Sequence, residues 1–313
     1  MSPSLVCVVI PVYNESQGLA ELIQRLTAVF DAHPEVLWHT VFANDGSRDD
    51  SLAQLTAAAA SDPRLEVVDL SRNFGHQAAL SAGLAHVGQA DAVVTMDGDL
   101  QDPPELIPDL VDAWRNGSEV VVAVRRSRKE TGLRRVGFDL FHAIFRLLSD
   151  LPVEGNTGTF GLLNREAVTA FNQLPEQHRF FPGLRSWVGF KRGEVVYDRQ
   201  ERFAGTPAQT MRRLVRYAFD GVFSFSYLPL RVVTYFGLLV AAVGFVIGTF
   251  FVVRRLLGVE IAATGFTTMV TLLLFLGGVQ LIGIGVVGEY IGRIYDEVKR
   301  RPPYIVRERT RRD

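Results

Sequence analysis

Short apolar runs alternate with longer amphipathic segments along the first half of the chain. The apolar runs are "LVCVVIPV" (5–12), "TVFA" (40–43), "LEVVDL" (65–70), "AVVTM" (92–96) and "EVVVAV" (119–124). The helix-like segments between and after them are 16–32, 49–60, 75–88, 104–115 and 133–149. Strands and helices that take turns in this way are typical of βαβ units. The pattern therefore predicts an α/β fold with a mostly parallel sheet flanked by helices.

The last third of the chain contains two long uncharged segments. Val232 to Val253 is 22 residues without a charge, and Ile261 to Gly288 is 28. Each exceeds the roughly 20 residues that cross a bilayer core. A pair of buried helices in a soluble domain is the alternative, which two such spans in succession disfavour. Because only "RRLLGVE" (254–260) separates them, we expect an antiparallel transmembrane hairpin.

Basic residues flank this hairpin on both sides. They are Arg212, Arg213, Arg216 and Arg231 before it, and Arg293, Lys299, Arg300 and Arg301 after it. The positive-inside rule places such flanks in the cytoplasm, because their basic residues outnumber Arg254 and Arg255 in the short loop between the spans. No basic region precedes the first apolar run, so we expect no signal peptide. The prediction is a multi-pass protein of the inner (plasma) membrane with both termini cytoplasmic.

Small residues lie along one face of the first span. Gly237, Ala241, Gly244 and Gly248 recur at a spacing that lets helices approach closely. This face either closes the hairpin or meets another subunit.

The overall charge excludes one class of partner. Lys plus Arg number 33 and Asp plus Glu number 34, which argues against a nucleic-acid binder steered by positive potential. The single cysteine, Cys7, has no partner for a disulfide and is expected to be a small buried hydrophobe.

Polar turns follow the first four predicted strands. They are "YNE" (13–15), "NDGS" (44–47), "SRNFG" (71–75) and "DGD" (97–99). Because the carboxyl ends of parallel strands share one edge of the sheet, where ligands bind, we expect these turns to lie together. One acidic turn alone is usually a helix cap, but four at one edge indicate a binding site.

The two aspartates of "DGD" indicate a metal site. Asp97 and Asp99 repel each other unless a cation lies beside them, and oxygen ligands suit Mg²⁺ or Mn²⁺, which keep positions open for substrate phosphates. Gln101 could add a carbonyl oxygen. In the alternative, Asp99 or Asp102 caps a helix that begins at Pro103 or Pro104. We favour the metal because Asp102 suffices as a cap and leaves Asp97 unexplained.

Several motifs together resemble the family 2 glycosyltransferases that charge a polyprenyl phosphate with a sugar. They are "VVIPVYNE", "NDGSRDDS", "LSRNFGHQAALSAGL", "MDGDLQDPPELI", "RFAGT" and "GEYIGRIYDEVKRRPPYIV". The nearest group is that of dolichyl-phosphate mannose synthase and bactoprenol glucosyltransferase, and the resemblance covers nearly the whole chain. It implies a cytoplasmic GT-A domain at 1–205, juxtamembrane amphipathic helices at 206–231, two transmembrane helices at 232–288 and a basic cytoplasmic tail at 289–313.

The resemblance also implies roles for individual residues. The base and ribose of a UDP- or GDP-sugar would be held by Pro11, Tyr13, Glu15 and Asp45, with Arg72, Asn73 and the turn at Gly75 shaping the same pocket. The metal on the diphosphate would be held by Asp97, Asp99 and Gln101. The acceptor phosphate would be contacted by Arg125, Arg128 and Arg134, and the diphosphate by Arg199 and Arg202.

These arginines have other possible partners. Arg72 could form a surface ion pair, and Arg199 and Arg202 could pair with acidic neighbours. The basic run that contains Arg128 could be attracted to anionic lipid instead.

The chain departs from the family pattern at two places. Asn44 stands where the family commonly has aspartate. In "GTFGL", Thr159 and Gly161 stand where many relatives have the aspartate and arginine of Gly-Asp-Phe-Arg-Leu. That aspartate is assigned as a catalytic base or acceptor-site residue, so Thr159 occupies a candidate catalytic position without being a base.

Two hypotheses of function follow. The first is an active transferase that moves one sugar from the nucleotide to polyprenyl phosphate, with inversion and without a base, because a phosphate monoester with a pKa near ~6 is already largely ionised. The second is a non-catalytic relative that binds nucleotide-sugar or lipid and acts through its oligomer. A processive polysaccharide synthase is weaker, since only two spans and no Gln-x-x-Arg-Trp signature are present. Family precedent implies a homo-oligomer, a tetramer.

Overall fold

The computed structural model describes residues 3–126, 157–177, 179–198, 228–257 and 265–310. The strands within these ranges are β1 (Ser4–Val12), β2 (Val36–Asn44), β3 (Leu65–Leu70), β4 (Ala92–Thr95), β5 (Val120–Arg125), β6 (Thr157–Asn164), β7 (Arg192–Tyr197) and β8 (Val306–Arg309). The α-helices are α1 (Leu19–Ala32), α2 (Ser51–Ser61), α3 (His76–Ala85), α4 (Ile107–Arg115), α5 (Arg165–Gln173), α6 (Phe181–Trp187), α7 (Leu228–Leu256) and α8 (Phe266–Lys299).

All of these strands form one mixed sheet in the order β7-β5-β6-β4-β1-β2-β3-β8. Strands β1 to β4 are parallel where they pair, and β5 pairs in parallel with β7. Strand β6 runs antiparallel between β4 and β5, and β8 runs antiparallel to β3. The prediction of an α/β fold with a mostly parallel, helix-flanked sheet is confirmed. The expected helix at 133–149 lies outside the described residues.

Helix α3 packs closely against the centre of the sheet. A β-carbon placed on Gly83 would lie 2.3 Å from Cγ1 of Val9 in β1, so only glycine permits this approach. This contact lies near the carboxyl end of α3, and hydrogen bonds from the N–H groups of Phe74 and Gly75 to Asp45 hold its amino end beside the end of β2. The helix thereby fixes one wall of the site described below.

The residues after the hairpin do not form a simple basic tail. Helix α8 continues to Lys299, and β8 then adds a strand to the sheet beside β3. The guanidinium of Arg309 binds the buried carboxylate of Glu66, and Arg307 lies 3.5 Å from Asp69. The backbone N–H of Ser71 donates to the carbonyl of Ile305. Positive charges that look like a solvated tail in the sequence therefore match acidic side chains of β3.

The chain divides into two compact units, 1–221 with 301–313, and 222–300. The second unit contains α7 and α8, whose windows Leu230–Ile247 and Phe275–Lys299 have mean hydropathies of 2.2 and 1.4. By length and composition both helices could cross a membrane. Of the predicted juxtamembrane helices, 206–227 lie outside the described residues, and Leu228 begins α7.

Among the small residues of α7 whose surroundings the structure describes, Gly237 and Gly244 take no part in the contact between these two helices. A β-carbon on Gly237 or Gly244 would meet no described atom within 4 Å, whereas one on Gly283 of α8 would lie 3.3 Å from Val233. The spacing of Gly283, Gly285 and Gly288 matches GxGxxG but lies inside α8. It is therefore not the strand-to-helix turn of a dinucleotide site.

Candidate active site

The polar turns after β1, β2, β3 and β4 meet at the carboxyl edge of the sheet around a cavity of about 210 Å³. Its lining residues are Pro11, Val12, Tyr13, Glu15, Asp45, Asn73, Gly75, His76, Ala79, Asp97, Gly98 and Asp99. The structure thus brings together the four turns that the sequence places at one edge. A cavity at this edge is the usual ligand site of an open α/β sheet.

Asp45 organises the turn that leads into α3. Its two carboxylate oxygens accept hydrogen bonds from the backbone N–H groups of Phe74 and Gly75, at 2.7 and 2.9 Å. Gly75 has φ +100°, a conformation that favours glycine. Burial raises the pKa of Asp45 above its ordinary value, although these two hydrogen bonds oppose the shift. Asp45 therefore shapes the cavity wall as well as lining it.

The departure at Asn44 has a local cause. The buried side chain of Asn44 donates a hydrogen bond of 2.7 Å from Nδ2 to Oδ1 of Asp69 in β3. An aspartate at position 44 would place a second carboxylate against Asp69 with no proton to share. Asparagine supplies the donor that this pair needs.

The first and second turns are joined by hydrogen bonds. The N–H of Asn14 donates to the Ser47 hydroxyl, and the N–H of Glu15 donates to the Ser51 hydroxyl. Beside them the Tyr13 side chain remains 40% exposed at the cavity. An exposed aromatic ring on a fixed turn is suited to stacking against a planar ligand group.

Asp97 and Asp99 both line the cavity. Oδ1 of Asp97 accepts a hydrogen bond of 2.8 Å from the Thr159 hydroxyl and lies 3.5 Å from Nε2 of His76. Oδ1 of Asp99 accepts a hydrogen bond of 3.1 Å from the backbone N–H of Gln101. Gln101 is not one of the described residues that line this cavity.

The carboxylate pair fits a hard divalent cation that shares its ligands with a substrate. Within the described ranges, no group of three or more His, Cys, Asp or Glu side chains is arranged to hold a metal ion. Two carboxylates with phosphate and water ligands are, however, the usual environment of Mg²⁺. Asp97 and Asp99 lie together at a cavity open to such a substrate.

Asp102 is not a helix cap, contrary to the reading that gave it this role. The 3-10 turn Pro104–Leu106 that precedes α4 has Pro103, not Asp102, at its N-cap position and has no side-chain cap. The Asp102 carboxylate is instead fully buried and accepts a hydrogen bond of 2.5 Å from the Tyr197 hydroxyl.

Arg125 lies at the end of β5 beside this buried pair. Its Nε donates to the Tyr197 hydroxyl at 3.1 Å, and its Nη2 lies 3.7 Å from Oδ1 of Asp102. Burial alone would lower the pKa of Arg125, but Tyr197 and the charges of Asp102 and Asp97 raise it above its ordinary value. Arg125 is therefore a fixed cation close to the carboxylate pair.

Of the remaining predicted arginines, the structure describes only Arg72. The Arg72 guanidinium lies 4.0 Å from the ring centre of Phe74 and donates to the carbonyl of Asn73. Arg128, Arg134, Arg199 and Arg202 lie outside the described residues.

The sequence reading missed two residues of this site. His76 follows the glycine turn directly, so its position at the start of α3 could have marked it. Tyr197 is 95 residues from Asp102 along the chain, and no local signal connects the two.

Comparison with known proteins gives two family matches. The model described as Glycosyl transferase family 2 matches residues 7–171, and the model described as GtrB C-terminal hairpin matches residues 228–294. The first match covers the chain from within β1 to within α5, and the second covers α7 and most of α8.

Individual proteins match over nearly the full chain. The protein named uncharacterized glycosyltransferase sll0501, from Synechocystis, is 43% identical over 301 residues, which are 96% of this chain and 93% of that protein. The SfII prophage-derived bactoprenol glucosyl transferase of Shigella flexneri is 41% identical over 307 residues, 98% of each chain. The solved glucosyl-3-phosphoglycerate synthase of Mycobacterium tuberculosis, in complex with Mn²⁺, UDP and phosphoglyceric acid, has a TM-score of 0.49 at 20% identity, covering 70% of this chain and 76% of that one.

Proposed function

The chain belongs to glycosyl transferase family 2, and from that membership we propose that it transfers one sugar from a nucleotide-sugar to polyprenyl phosphate. The likeness to a bactoprenol glucosyl transferase over 98% of each chain supports this acceptor. The observation that carries the proposal is the placement of Asp97 and Asp99 at a cavity beside the fixed cation Arg125. The products are polyprenyl-phosphate-sugar and a nucleoside diphosphate.

The donor occupies the cavity at the ends of β1 to β4. Its base and ribose, from UDP or GDP, contact Pro11, Tyr13, Glu15 and Asp45, with Tyr13 as the stacking surface. The wall after β3 contains Asn73, and a role in shaping the same pocket is also proposed for Arg72. Roles on the donor diphosphate are also proposed for Arg199 and Arg202.

A divalent cation that binds the donor diphosphate would be held by Asp97 and Asp99, with Gln101 as a further oxygen ligand. When bound there, Mg²⁺ or Mn²⁺ supplies charge neutralisation to the leaving diphosphate. Asp97 keeps a fixed orientation because the Thr159 hydroxyl donates to its Oδ1. Asp99 is oriented from the same turn by the backbone N–H of Gln101, which donates to its Oδ1.

The acceptor phosphate is positioned by Arg125, together with Arg128 and Arg134. One of its oxygen anions attacks the anomeric carbon in line with the bond to the donor diphosphate. That bond breaks, the nucleoside diphosphate leaves with the electron pair, and the configuration at the anomeric carbon inverts. Because the nucleophile carries no proton to remove, no catalytic base is needed. Thr159 is consistent with this route, since its hydroxyl donates a hydrogen bond where a base would accept a proton.

The catalytic unit is proposed to lie in the cytoplasm at the inner membrane, with α7 and α8 as a two-helix anchor. Strand β8 follows the hairpin in sequence and pairs with β3, which precedes it. This pairing supports an even number of crossings, with both termini on one side. Protection of a C-terminal tag from external protease in intact cells is the expected result, and its cleavage would contradict the topology.

The assembly is proposed to be a homo-oligomer, a tetramer. The open positions of Gly237 and Gly244 on α7 support it, because small residues let a second helix approach. A fully active monomer in detergent, identified by mass measurement, would contradict it.

The test of the function uses the full chain purified in detergent with Mg²⁺ and undecaprenyl phosphate. Several UDP- and GDP-sugars are supplied in parallel, and the same donors are offered to a neutral sugar acceptor. We expect transfer to the lipid phosphate alone. Efficient transfer to a free sugar hydroxyl would refute the phosphate mechanism, and no transfer with any donor would favour a non-catalytic relative that binds nucleotide-sugar or lipid.

A further inference from the structure

A buried hydrogen-bonded chain of three side chains lies beside the proposed site. The Tyr197 hydroxyl donates to Oδ1 of Asp102 at 2.5 Å and accepts from Nε of Arg125 at 3.1 Å. The three residues come from the end of β7, the turn after β4 and the end of β5. Their contacts therefore tie together three segments that are distant in sequence.

The protonation state of the tyrosine sets the direction of these bonds. Burial, together with the charge of Asp102, raises the pKa of Tyr197 above its ordinary value. The phenol consequently keeps its proton at neutral pH and donates it to the carboxylate. One lone pair of the same oxygen accepts from the guanidinium, so a single hydroxyl bridges Oδ1 of Asp102 and Nε of Arg125.

Exposure distinguishes the two ends of this chain. Asp102 is fully buried and Tyr197 is buried, whereas the Arg125 side chain is 27% exposed. The carboxylate and the phenol therefore cannot reach a substrate directly. The guanidinium is the part of this chain that is open to solvent, and it lies close enough to Asp97 for that charge to contribute to its raised pKa.

Strand β6 supplies the packing that fixes this arrangement. A β-carbon placed on Gly158 would lie 2.7 Å from Nη2 of Arg125, so a larger residue would displace the guanidinium. The ring of Phe160 packs edge-on against Tyr197, with centroids 5.6 Å apart. Gly158 and Phe160 therefore both lie against the same hydrogen-bonded group.

We propose that Asp102 and Tyr197 are positioning residues that hold the Arg125 guanidinium in place for the acceptor phosphate. The inference rests on the proposed function, because it assigns Arg125 to the acceptor. A cation held before the substrate arrives needs no reorganisation during the reaction. Asp102 supplies the fixed negative charge, and the Tyr197 hydroxyl transmits the orientation to Nε.

The first test is Tyr197→Phe in the full chain, assayed in detergent with undecaprenyl phosphate. The substitution keeps the ring that packs on Phe160 and removes only the hydroxyl. Loss of a hydrogen bond to a charged group is expected to raise the KM for the lipid phosphate about tenfold, with the KM for the nucleotide-sugar within about twofold. The matched control is Trp38→Phe, which removes a buried ring N–H that donates to the His33 carbonyl away from the site.

A double-mutant cycle separates positioning from a general structural effect. If Tyr197 acts through Arg125, then Tyr197→Phe costs less than about twofold once Arg125→Ala is present, because the two changes share one interaction. The inference would be overturned if the double variant showed the product of the two single fold-changes in KM. It would also be overturned if Tyr197→Phe kept the wild-type KM for the lipid phosphate. A similar rise in KM for Trp38→Phe would also overturn it.

A binding measurement keeps this test independent of turnover. Undecaprenyl phosphate binding to the protein in nanodiscs is compared for wild type and Tyr197→Phe by native mass spectrometry. Weaker binding by the variant supports the inference even if wild type transfers no sugar, a result that would refute the proposed function alone. Equal binding by the two proteins overturns the inference even if wild type is active.

Discussion

The Thr159 hydroxyl donates a hydrogen bond to Oδ1 of Asp97, with 2.8 Å between the two oxygens. The backbone of Thr159 is held in turn, because the Thr95 hydroxyl donates to its carbonyl at 2.5 Å. The bond joins β6 to the turn after β4, and it gives the carboxylate a donor. An aspartate at position 159 would place a second carboxylate at this distance from Asp97.

We expect Thr159→Val to weaken Mn²⁺ binding by about tenfold, while Thr159→Ser stays within about twofold of wild type. Valine keeps the shape of the side chain but removes the donor that orients Asp97, and that loss is about 1.4 kcal/mol. Titration calorimetry with Mn²⁺ and a nucleoside diphosphate measures the effect. Equal affinities for all three proteins would show that the hydroxyl does not orient Asp97.

Thr159→Asp is expected to lower transfer to polyprenyl phosphate by at least about tenfold. The added negative charge would repel both the donor diphosphate and the incoming acceptor phosphate. Steady-state rates with one donor and undecaprenyl phosphate give the comparison. A gain of activity in Thr159→Asp over an inactive wild type would mean that a base is required, and the non-catalytic hypothesis would then apply to the natural protein.

Replacing Asp99 by Ala is expected to abolish turnover and to leave the fold intact, as is chelation of divalent cations by EDTA. Asp99 is one of the two aspartates of the turn after β4 that line the cavity. The matched control is Asp109→Asn, which changes an exposed aspartate of α4. Undiminished turnover in EDTA would exclude a required metal, and an equal loss in the Asp109 variant would point to a general effect of charge.

His76→Ala is expected to raise the KM for the nucleotide-sugar by about tenfold. The imidazole lines the cavity and lies 3.5 Å from Asp97, so it can bind the donor, and one hydrogen bond to a charged group has about this magnitude. His86→Ala serves as the control, because His86 follows the other end of the same helix, where its ring contacts the Ala82 carbonyl. An unchanged KM for the nucleotide-sugar in His76→Ala would show that His76 does not bind this substrate.

The docking of β8 is expected to weaken in acid. Although burial opposes ionisation, hydrogen bonds from His39 and Arg309 lower the pKa of Glu66 from 4.5 to about 2. A depressed carboxylate pKa contributes stability that is complete above about pH 4.5 and declines as the pH falls towards 2. The whole shift corresponds to on the order of 3 kcal/mol, and only the part that comes from Arg309 bears on β8, since His39 belongs to β2.

Hydrogen exchange at residues 306–310 measures this contribution. The protection of β8 should fall between pH 4.5 and 2 in wild type and should be lower at neutral pH in Glu66→Gln. Glu194→Gln is the control, because Glu194 is an exposed residue of the opposite edge strand β7. Protection that is independent of both pH and Glu66 would show that this ion pair does not hold the strand.

The sequence was sufficient for the centre of the sheet and for the placement of its polar turns. Parallel strands covered on both faces consist of nearly continuous apolar residues, and 5–12 and 65–70 match β1 and β3 closely. The turn that carries Asp97 and Asp99 follows such a strand directly, so its position at the edge could be inferred.

Other elements could not be recognised from local pattern. Strand β6 contains Gly158 and Gly161, and β8 is four residues with three charges. In both, the strand conformation depends on partners: Gly161 approaches the Val121 carbonyl too closely for a β-carbon, and Arg309 meets Glu66. Asp102 was misread for the same reason, since its partner Tyr197 lies far along the chain.

The pairing of β8 with β3 also imposes an order on the biogenesis of the protein. The ribosome releases residues 306–309 only after both long helices have been synthesised, so β3 has an open hydrogen-bonding edge throughout that interval. Such an edge can pair with another chain, and here it carries Glu66 and Asp69 without their arginine partners. The nascent catalytic unit therefore completes its sheet after the hairpin has emerged, and a chain that stops within the hairpin leaves that edge uncovered.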